Sequence, residues 1–352
     1  MTKDDRIAAF SQLGQFLNQF SNPTPIRNDA IKFNDSFFDK MKVTIEQMVH
    51  HNGWFTLDNV TFSINQWSNL LTEDQLNNWL QTYTLPETVS KKVGIIMAGN
   101  IPLVGFHDFL SVLITGNTAI VKLSSHDNLL VPLISEYLIA IAPKFKEQIL
   151  FSNEKLTGFE AIIATGSDNT ARYFEHYFGN VPNIIRKNRN SVAILTGTET
   201  EAELQVLGED IFTYFGLGCR SVSKILVPNQ YNFDSFFKAI YAYNDIVNNA
   251  KYANNYDYNK AVYLMSEYKL LDNGFLMLKE DTRYSSPIAT IFYETYEDKN
   301  NLKTMIAKDR HLLQCIVGNH EEATIPFGKT QHPKLTDYAD GKDIIEFLAN
   351  IN

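Results

Sequence analysis

Cysteine is scarce in this sequence: Cys219 and Cys315 are the only two in 352 residues. The N-terminus (MTKDDRIAAF) carries early acids in place of the basic stretch of a targeting signal. A reduced, cytoplasmic protein is the simplest expectation. Long apolar runs are missing too. VGIIMAG and LITGNTAIV are short and broken by Gly or Asn, well below the roughly 18 to 20 residues a membrane span requires, so no span is expected. With a formal charge of -9 and no run of Lys or Arg, a nucleic-acid partner is not expected, because phosphate backbones are bound by clustered cations. One locally basic pocket for a small anion stays open. His50 and His51 are adjacent on a helical pattern and face different ways. The other histidines (107, 126, 176, 311, 320 and 332) show no ligand spacing, so no metal site is expected. There is no GxGxxG, no internal repeat and no Gly/Ser linker.

What is present is apolar content of 44%, enough for a large core and for two lobes. Up to about residue 85 the pattern is helical. Ile7, Phe10, Leu13, Leu17 and Phe20 recur at spacings of three and four, as one buried helix face requires. Thr72-Glu73-Asp74-Gln75 reads as a capping box that opens LNNWLQTY. From residue 92 short β-rich runs alternate with helical stretches: VGIIMA (93–98), AIVKLS (119–124), EAIIAT (160–165) and NIIRK (183–187). A second set follows, with SVAILT (191–196), a helix near 199–215, KILVPN (224–229), FLMLKE, ATIFYE, a helix near 297–308, and LQCIVG. This order predicts an α/β fold of two successive lobes with parallel sheets behind an N-terminal helical cap. The Asn/Tyr cluster NNAKYANNYDYN (248–259) is expected to be irregular or mobile.

Four segments could carry chemistry. The turn Met97-Ala98-Gly99-Asn100-Ile101-Pro102 follows the first β run, and in a doubly wound sheet such turns face the ligand crevice. Gly-Asn is also ordinary turn chemistry. The next strand ends in Lys122-Leu123-Ser124-Ser125, a cation and hydroxyls able to bind ribose or phosphate, or simply a solvated strand end. Ala164-Thr165-Gly166-Ser167-Asp168 leads into a helix. Its N-terminal amides suit a pyrophosphate, while Ser167 or Asp168 would serve equally as an N-cap. Lastly, small residues precede the thiol in Phe215-Gly216-Leu217-Gly218-Cys219-Arg220-Ser221-Val222-Ser223-Lys224. They leave room for a carbonyl, and Arg220 and Lys224 could favour the thiolate. Cys315, within LQCIVG, reads as an inert buried thiol. His107 has the look of a helix-surface residue, with proton donation as the alternative.

In this order, the four segments resemble the aldehyde-dehydrogenase superfamily, and within it the fatty acyl-CoA reductases of the LuxC type, from about Lys92 onward. The resemblance implies a cofactor domain over residues 1–187 with a returning segment 320–352, and a catalytic domain over 188–319. It implies Cys219 as nucleophile and the Asn100 amide at the reacting oxygen. Lys122, with Ala98, Ser124 and Ser125 beside it, would lie at the adenosine ribose, and Thr165, Gly166 and Ser167 near the pyrophosphate. The tail PFGKTQHPKLTDYADGKDIIEFL (326–348) is similar to the returning segment of these reductases.

The chain departs from the family at one informative place. Where acid-forming members carry a water-activating glutamate, it reads Ile184-Ile185-Arg186-Lys187-Asn188-Arg189-Asn190. The expected activity is therefore reduction of an acyl thioester such as acyl-CoA to an aldehyde. NADPH is expected over NADH because no acid stands at Ser125 to repel a 2′-phosphate. An acid-forming aldehyde dehydrogenase and a catalytically silent acyl-binding or nucleotide-binding scaffold are the alternatives. The family also implies an acyl-activating protein partner and is compatible with a homo-oligomer, although little room precedes residue 92 for the family's oligomerisation hairpin.

Overall fold

The computed structural model describes residues 1–85 and 90–351, apart from the Asp168 side chain, so the alternative of an Asp168 cap lies outside the described residues. The chain divides into two compact units, residues 1–187 with 334–352, and residues 188–333.

The first unit opens with four helices, α1 (Lys3–Asn18), α2 (Asn34–His51), α3 (Leu57–Leu70) and α4 (Glu73–Leu80). A capping box starts α1: Thr2 Oγ accepts the Asp5 N–H at 3.1 Å and the Thr2 N–H donates to Asp5 Oδ2 at 2.9 Å. All five apolar residues of the predicted face, Ile7 to Phe20, are buried. Thr72 caps α4 by accepting the Gln75 N–H at 3.3 Å, and the helix stops at Leu80. The sheet follows: β1 (Lys92–Ile96), α5 (Phe106–Ile114), β2 (Thr118–Lys122), α6 (Leu130–Ile141), β3 (Ile149–Phe151), β4 (Ala161–Thr165), α7 (Asp168–Phe178) and β5 (Asn183–Arg186). Strand order is β3-β2-β1-β4-β5, all parallel. Side chains alternate across it. Val93, Ile95, Ala119, Val121 and Ile163 join the large core shared with the N-terminal helices, while Ile120 and Ile162 pack with Phe178 of α7.

The second unit holds β6 (Asn190–Ile194), α8 (Glu201–Phe212), β7 (Val222–Pro228), α9 (Asp234–Ala239), α10 (Ala250–Met265), β8 (Leu270–Asp272), β9 (Met277–Glu280), β10 (Thr290–Tyr296), α11 (Lys299–Asp309) and β11 (Leu313–Val317). Its order is β11-β6-β7-β10-β9-β8, parallel except for the β8–β9 pair. One face packs on α8 and α9 with Cys315 fully buried, and the other packs on α11.

The segment expected to be irregular is mostly the helix α10. Asn249 caps it, accepting the Lys251 and Tyr252 amides at 3.0 and 3.1 Å. Tyr252, Tyr256 and Tyr263 are buried at helical spacing, with the Tyr252 hydroxyl donating to Phe275 O at 2.9 Å. The tyrosines build the inward face, so the Asn-rich composition misleads. After β11, residues 320–333 cluster with the second unit, and the chain re-enters the first unit from Lys334. There α12 (Ile344–Ala349) buries Ile344, Ile345 and Leu348. Among the described residues no helix is long and apolar enough to cross a membrane.

Candidate active site

In the first unit the chain order reverses between β1 and β4. This is the point at which open parallel sheets bind ligands, outside the carboxyl ends of the strands. Ala98, Asn100, Lys122, Ser124, Ser125, Thr165, Gly166 and Ser167 all follow or end β1, β2 or β4, so the sheet brings them to this one edge. Asn100, Ser125 and Ser167 are exposed there, while Ala98, Lys122, Ser124 and Thr165 are half-buried.

The β1 and β2 turns interlock. The Met97 N–H donates to Lys122 O at 3.0 Å, and a Cβ on Gly99 would lie 2.4 Å from Ser124 Oγ, so only glycine fits. The His51 ring nitrogen Nε2 lies 3.0 Å from Ser125 O. At β4, Ser167 is the N-cap of α7, accepting the Thr170 N–H at 3.3 Å. The capping alternative thus holds, and it leaves the first-turn amides of α7 at the same edge. A lysine, two serine hydroxyls and a helix N-terminus are a donor set suited to the ribose and phosphates of a dinucleotide.

Thr165 pairs with Arg186 across β4 and β5. Arg186 is buried, and one of its terminal nitrogens, Nη1, donates to both oxygens of Asp108, at 2.8 and 2.7 Å. His107, one residue before Asp108, corrects the expectation of a surface histidine. Its Nε2 donates to Leu335 O at 2.9 Å, and its ring packs among Trp67, Trp79 and Tyr338. Desolvation holds its pKa below the ordinary histidine value. It anchors the returning C-terminal segment, together with Trp79, whose Nε1 donates to the Tyr338 hydroxyl at 2.8 Å.

In the second unit Cys219 is exposed on a turn closed by the Ser221 N–H donating to Gly218 O at 3.0 Å. The approach is strained: Tyr214 and Phe215 lie at φ 56° and 58°, followed by Gly216 at 75°. Bulky residues in the left-handed region cost about 1 to 3 kcal/mol each and persist where surrounding contacts enforce them. The Cys219 turn itself is tied down by residues that sequence reasoning missed. Ser191 donates to Cys219 O at 2.9 Å and accepts the Cys315 N–H at 3.1 Å. Asp210, 1% exposed, accepts the Gly328 and Thr330 amides at 2.7 and 2.9 Å and the Thr330 hydroxyl at 2.8 Å. The loop so fixed reaches back, with Gln331 donating to Ser221 Oγ at 3.2 Å and Arg220 Nε donating to Thr330 O. The PFGKTQ string was the available signal for this brace.

Lys224 does not serve the thiol as expected. It is fully buried, paired with Glu294, donates to Thr282 O at 2.7 Å and lies over the Tyr284 ring. Its charge is consumed inside the sheet, which leaves Arg220 as the cation on the Cys219 turn. Among the described residues no three His, Cys, Asp or Glu side chains group as a metal would require.

No family model matches the chain, and no curated protein matches it. Solved structures do. Aldehyde dehydrogenase 21 from Physcomitrella patens, in complex with its reaction product succinate, is similar at 12% identity and a TM-score of 0.67, covering 100% of this chain and 84% of that one. A putative aldehyde dehydrogenase from Burkholderia cenocepacia is similar at 13% identity and a TM-score of 0.61, covering 93% and 84%. An indole-3-acetaldehyde dehydrogenase in complex with NAD+ is similar at 11% identity and a TM-score of 0.64, covering 93% and 76%. The two parallel α/β units and the helices before them have the aldehyde-dehydrogenase-like fold.

Proposed function

We propose that this protein reduces an acyl thioester, acyl-CoA being the simplest, to an aldehyde, working through a Cys219 acyl-enzyme in the manner of the LuxC-type reductases it resembles. The observation that carries the reading is the end of β5. Residues 184–190 contain no carboxylate, and Asp108, which does lie against this strand end, has both oxygens bound to Arg186. A carboxylate whose two oxygens both accept from a guanidinium is already engaged and is a poor general base towards water. An acyl-enzyme without a base to activate water survives to be reduced.

The Cys219 thiolate attacks the thioester carbonyl, and the departing thiolate, CoA in the simplest case, takes the electron pair of the broken C–S bond. The Asn100 amide and the Cys219 N–H are the assigned donors to the oxyanion. Arg220 favours the thiolate. A reduced nicotinamide cofactor supplies the hydride when bound, and Lys122, Ser124, Ser125 and the α7 N-terminus with Gly166 would hold it. With serine rather than an acid at position 125, a 2′-phosphate meets no repulsion and NADPH is preferred. Collapse of the thiohemiacetal releases the aldehyde and regenerates the Cys219 thiolate.

The test is to incubate the protein with a panel of acyl-CoAs, cofactor withheld, and to weigh the Cys219 peptide. An acyl mass shift that disappears when NADPH is added supports the reading. Full turnover by Cys219→Ala refutes it. For the cofactor, Ser125→Glu is expected to shift the kcat/KM ratio towards NADH, and an unchanged ratio removes the 2′-phosphate argument.

A second reading, an acid-forming aldehyde dehydrogenase, is favoured by the names of the solved structures of like fold. Aldehyde with NAD(P)+ in the absence of CoA separates the two, since steady acid formation requires a base that activates water.

A further inference from the structure

The turn that carries Asn100 is held by groups the proposed chemistry does not use. Its backbone runs from β1 into α5 through Leu103, which sits at φ 57°, and a bulky residue stays left-handed only where its surroundings enforce it. Two contacts do so. Ser63 of α3 donates its hydroxyl to Pro102 O at 2.9 Å, and Asp127 accepts the Leu103 N–H on Oδ2 at 2.9 Å. Asp127 belongs to the turn after β2, where its own N–H donates to Ser124 O at 3.2 Å. One carboxylate therefore ties the β2 turn to the β1 turn. Gly99 completes the seam, since a Cβ there would come within 3.3 Å of the Asp127 Cβ as well as clashing with Ser124.

Asp127 is only 4% exposed, and its Oδ1 has no hydrogen-bond partner among the described residues. Burial pushes its pKa up to about 6, opposed by the Leu103 N–H and by the charge of His51. A buried carboxylate with an unsatisfied oxygen is costly, and a neutral acceptor would cap the same N–H. A cost retained beside a strained turn, at the edge where the candidate residues converge, points to a group kept for the placement of that turn.

We propose that Asp127 is a positioning residue for Asn100: its bond to the Leu103 N–H sets the turn in the conformation that presents the Asn100 amide to the reacting oxygen. The proposal rests on the reading of Asn100 as an oxyanion donor, and its test separates the two.

Hydrogen exchange of peptides covering residues 98–106 is measured in the wild type, Asp127→Leu and Asp127→Asn. Exchange is expected to quicken in Asp127→Leu and to stay near wild type in Asp127→Asn, whose amide oxygen still accepts. Unchanged exchange in Asp127→Leu overturns the proposal. Turnover is followed in parallel with acyl-CoA and NADPH, or with aldehyde and NAD(P)+ if the wild type proves acid-forming. Asn100→Ala is expected to lower kcat by about 100-fold, the scale for loss of an oxyanion donor. Asp127→Leu is expected to lose a comparable factor in kcat with cofactor KM unchanged, and the double variant to be no slower than Asn100→Ala alone. Losses that multiply overturn the proposal. If Asp127→Leu does not fold, Asp127→Asn decides: kcat within about threefold of wild type supports the acceptor role, and a loss near that of Asn100→Ala overturns it. An Asn100→Ala enzyme with wild-type kcat refutes the oxyanion reading, while exchange still reports whether Asp127 holds the turn.

Discussion

Removing Asp108 leaves Arg186 as an uncompensated charge inside the first unit. The two side chains are 4% and 7% exposed and meet at 2.7 Å, and Arg186 Nε has no partner among the described residues. Breaking such a pair by removing one member costs about 3 to 5 kcal/mol, most of it the desolvation of the charge left behind. Asp108→Ala should therefore lose about 4 kcal/mol. With a urea m-value of about 2 kcal/mol/M for a unit of this size, the midpoint of the transition that reports the first unit should fall by about 2 M. Replacing both members tests the cause. Asp108→Leu with Arg186→Met removes the charge together with its counter-charge and should restore the midpoint to within about 0.5 M of wild type, or exceed it, because apolar replacements of buried pairs are neutral or stabilising. The assay is urea unfolding followed by tryptophan fluorescence, since Trp54, Trp67 and Trp79 all lie in this unit. If Asp108→Ala shifts the midpoint by less than about 0.5 M, the pair is solvated. The description of Asp108 as a carboxylate held out of base chemistry by Arg186 then fails.

Two further outcomes follow from buried carboxylates. Asp127, with a folded pKa of about 6 against an unfolded value of 3.8, favours the native state when protonated. Its contribution is full below the unfolded pKa and lost as pH rises through 6, a fall of about 3 kcal/mol from a shift of about two units. Asp127→Asn lacks that fall, so its stability relative to wild type should climb by about 2 kcal/mol between about pH 4.5 and about pH 8, the rest of the fall lying below about pH 4.5; a pH-independent difference sinks the argument. Asp210→Ala strands two amides and a hydroxyl, at about 1 to 3 kcal/mol each where water cannot reach them. It should raise hydrogen exchange at residues 217–222 as well as 327–332, and unchanged exchange at 217–222 would mean that the loop does not brace the Cys219 turn.

Much of the sheet framework was legible because buried parallel strands read as short β-branched runs, as in VGIIMA and AIVKLS. The strand β3 was not, being three residues at a sheet edge with Leu150 and Phe151 exposed. The misreading of 248–259 has a physical cause. Asn and Tyr have modest helix propensity, and what makes α10 a helix is an Asn cap and a tyrosine face packed on the unit, neither of which local composition reports. His107 and Lys224 failed for a related reason. Their partners lie far along the chain, Leu335 at 228 positions and Glu294 at 70, and a side chain that looks free in sequence is committed in space.

The two halves of the candidate machinery obey different rules, and this explains which half the sequence made easy. Ala98, Asn100, Lys122, Ser124, Ser125, Thr165, Gly166 and Ser167 sit at the carboxyl ends of parallel strands, where a doubly wound sheet is known to bind. Recognising βαβ units was therefore enough to point to this edge, while the roles of the residues on it came from the resemblance. Cys219 precedes β7 and so lies at the amino end of its strand, a place that rule never points to. In the second unit the order reverses between β6 and β11, yet the candidate thiol is not on the turns that follow them. Its position is instead specified by consecutive left-handed residues, the Ser191 hydroxyl and the Asp210-bound loop. Of these only Gly216 leaves a recognisable mark in the sequence near the cysteine itself. A thiol placed by long-range hydrogen bonds leaves little trace in the residues beside it, and here the nearest backbone mark is the left-handed pair Tyr214 and Phe215, immediately before Gly216.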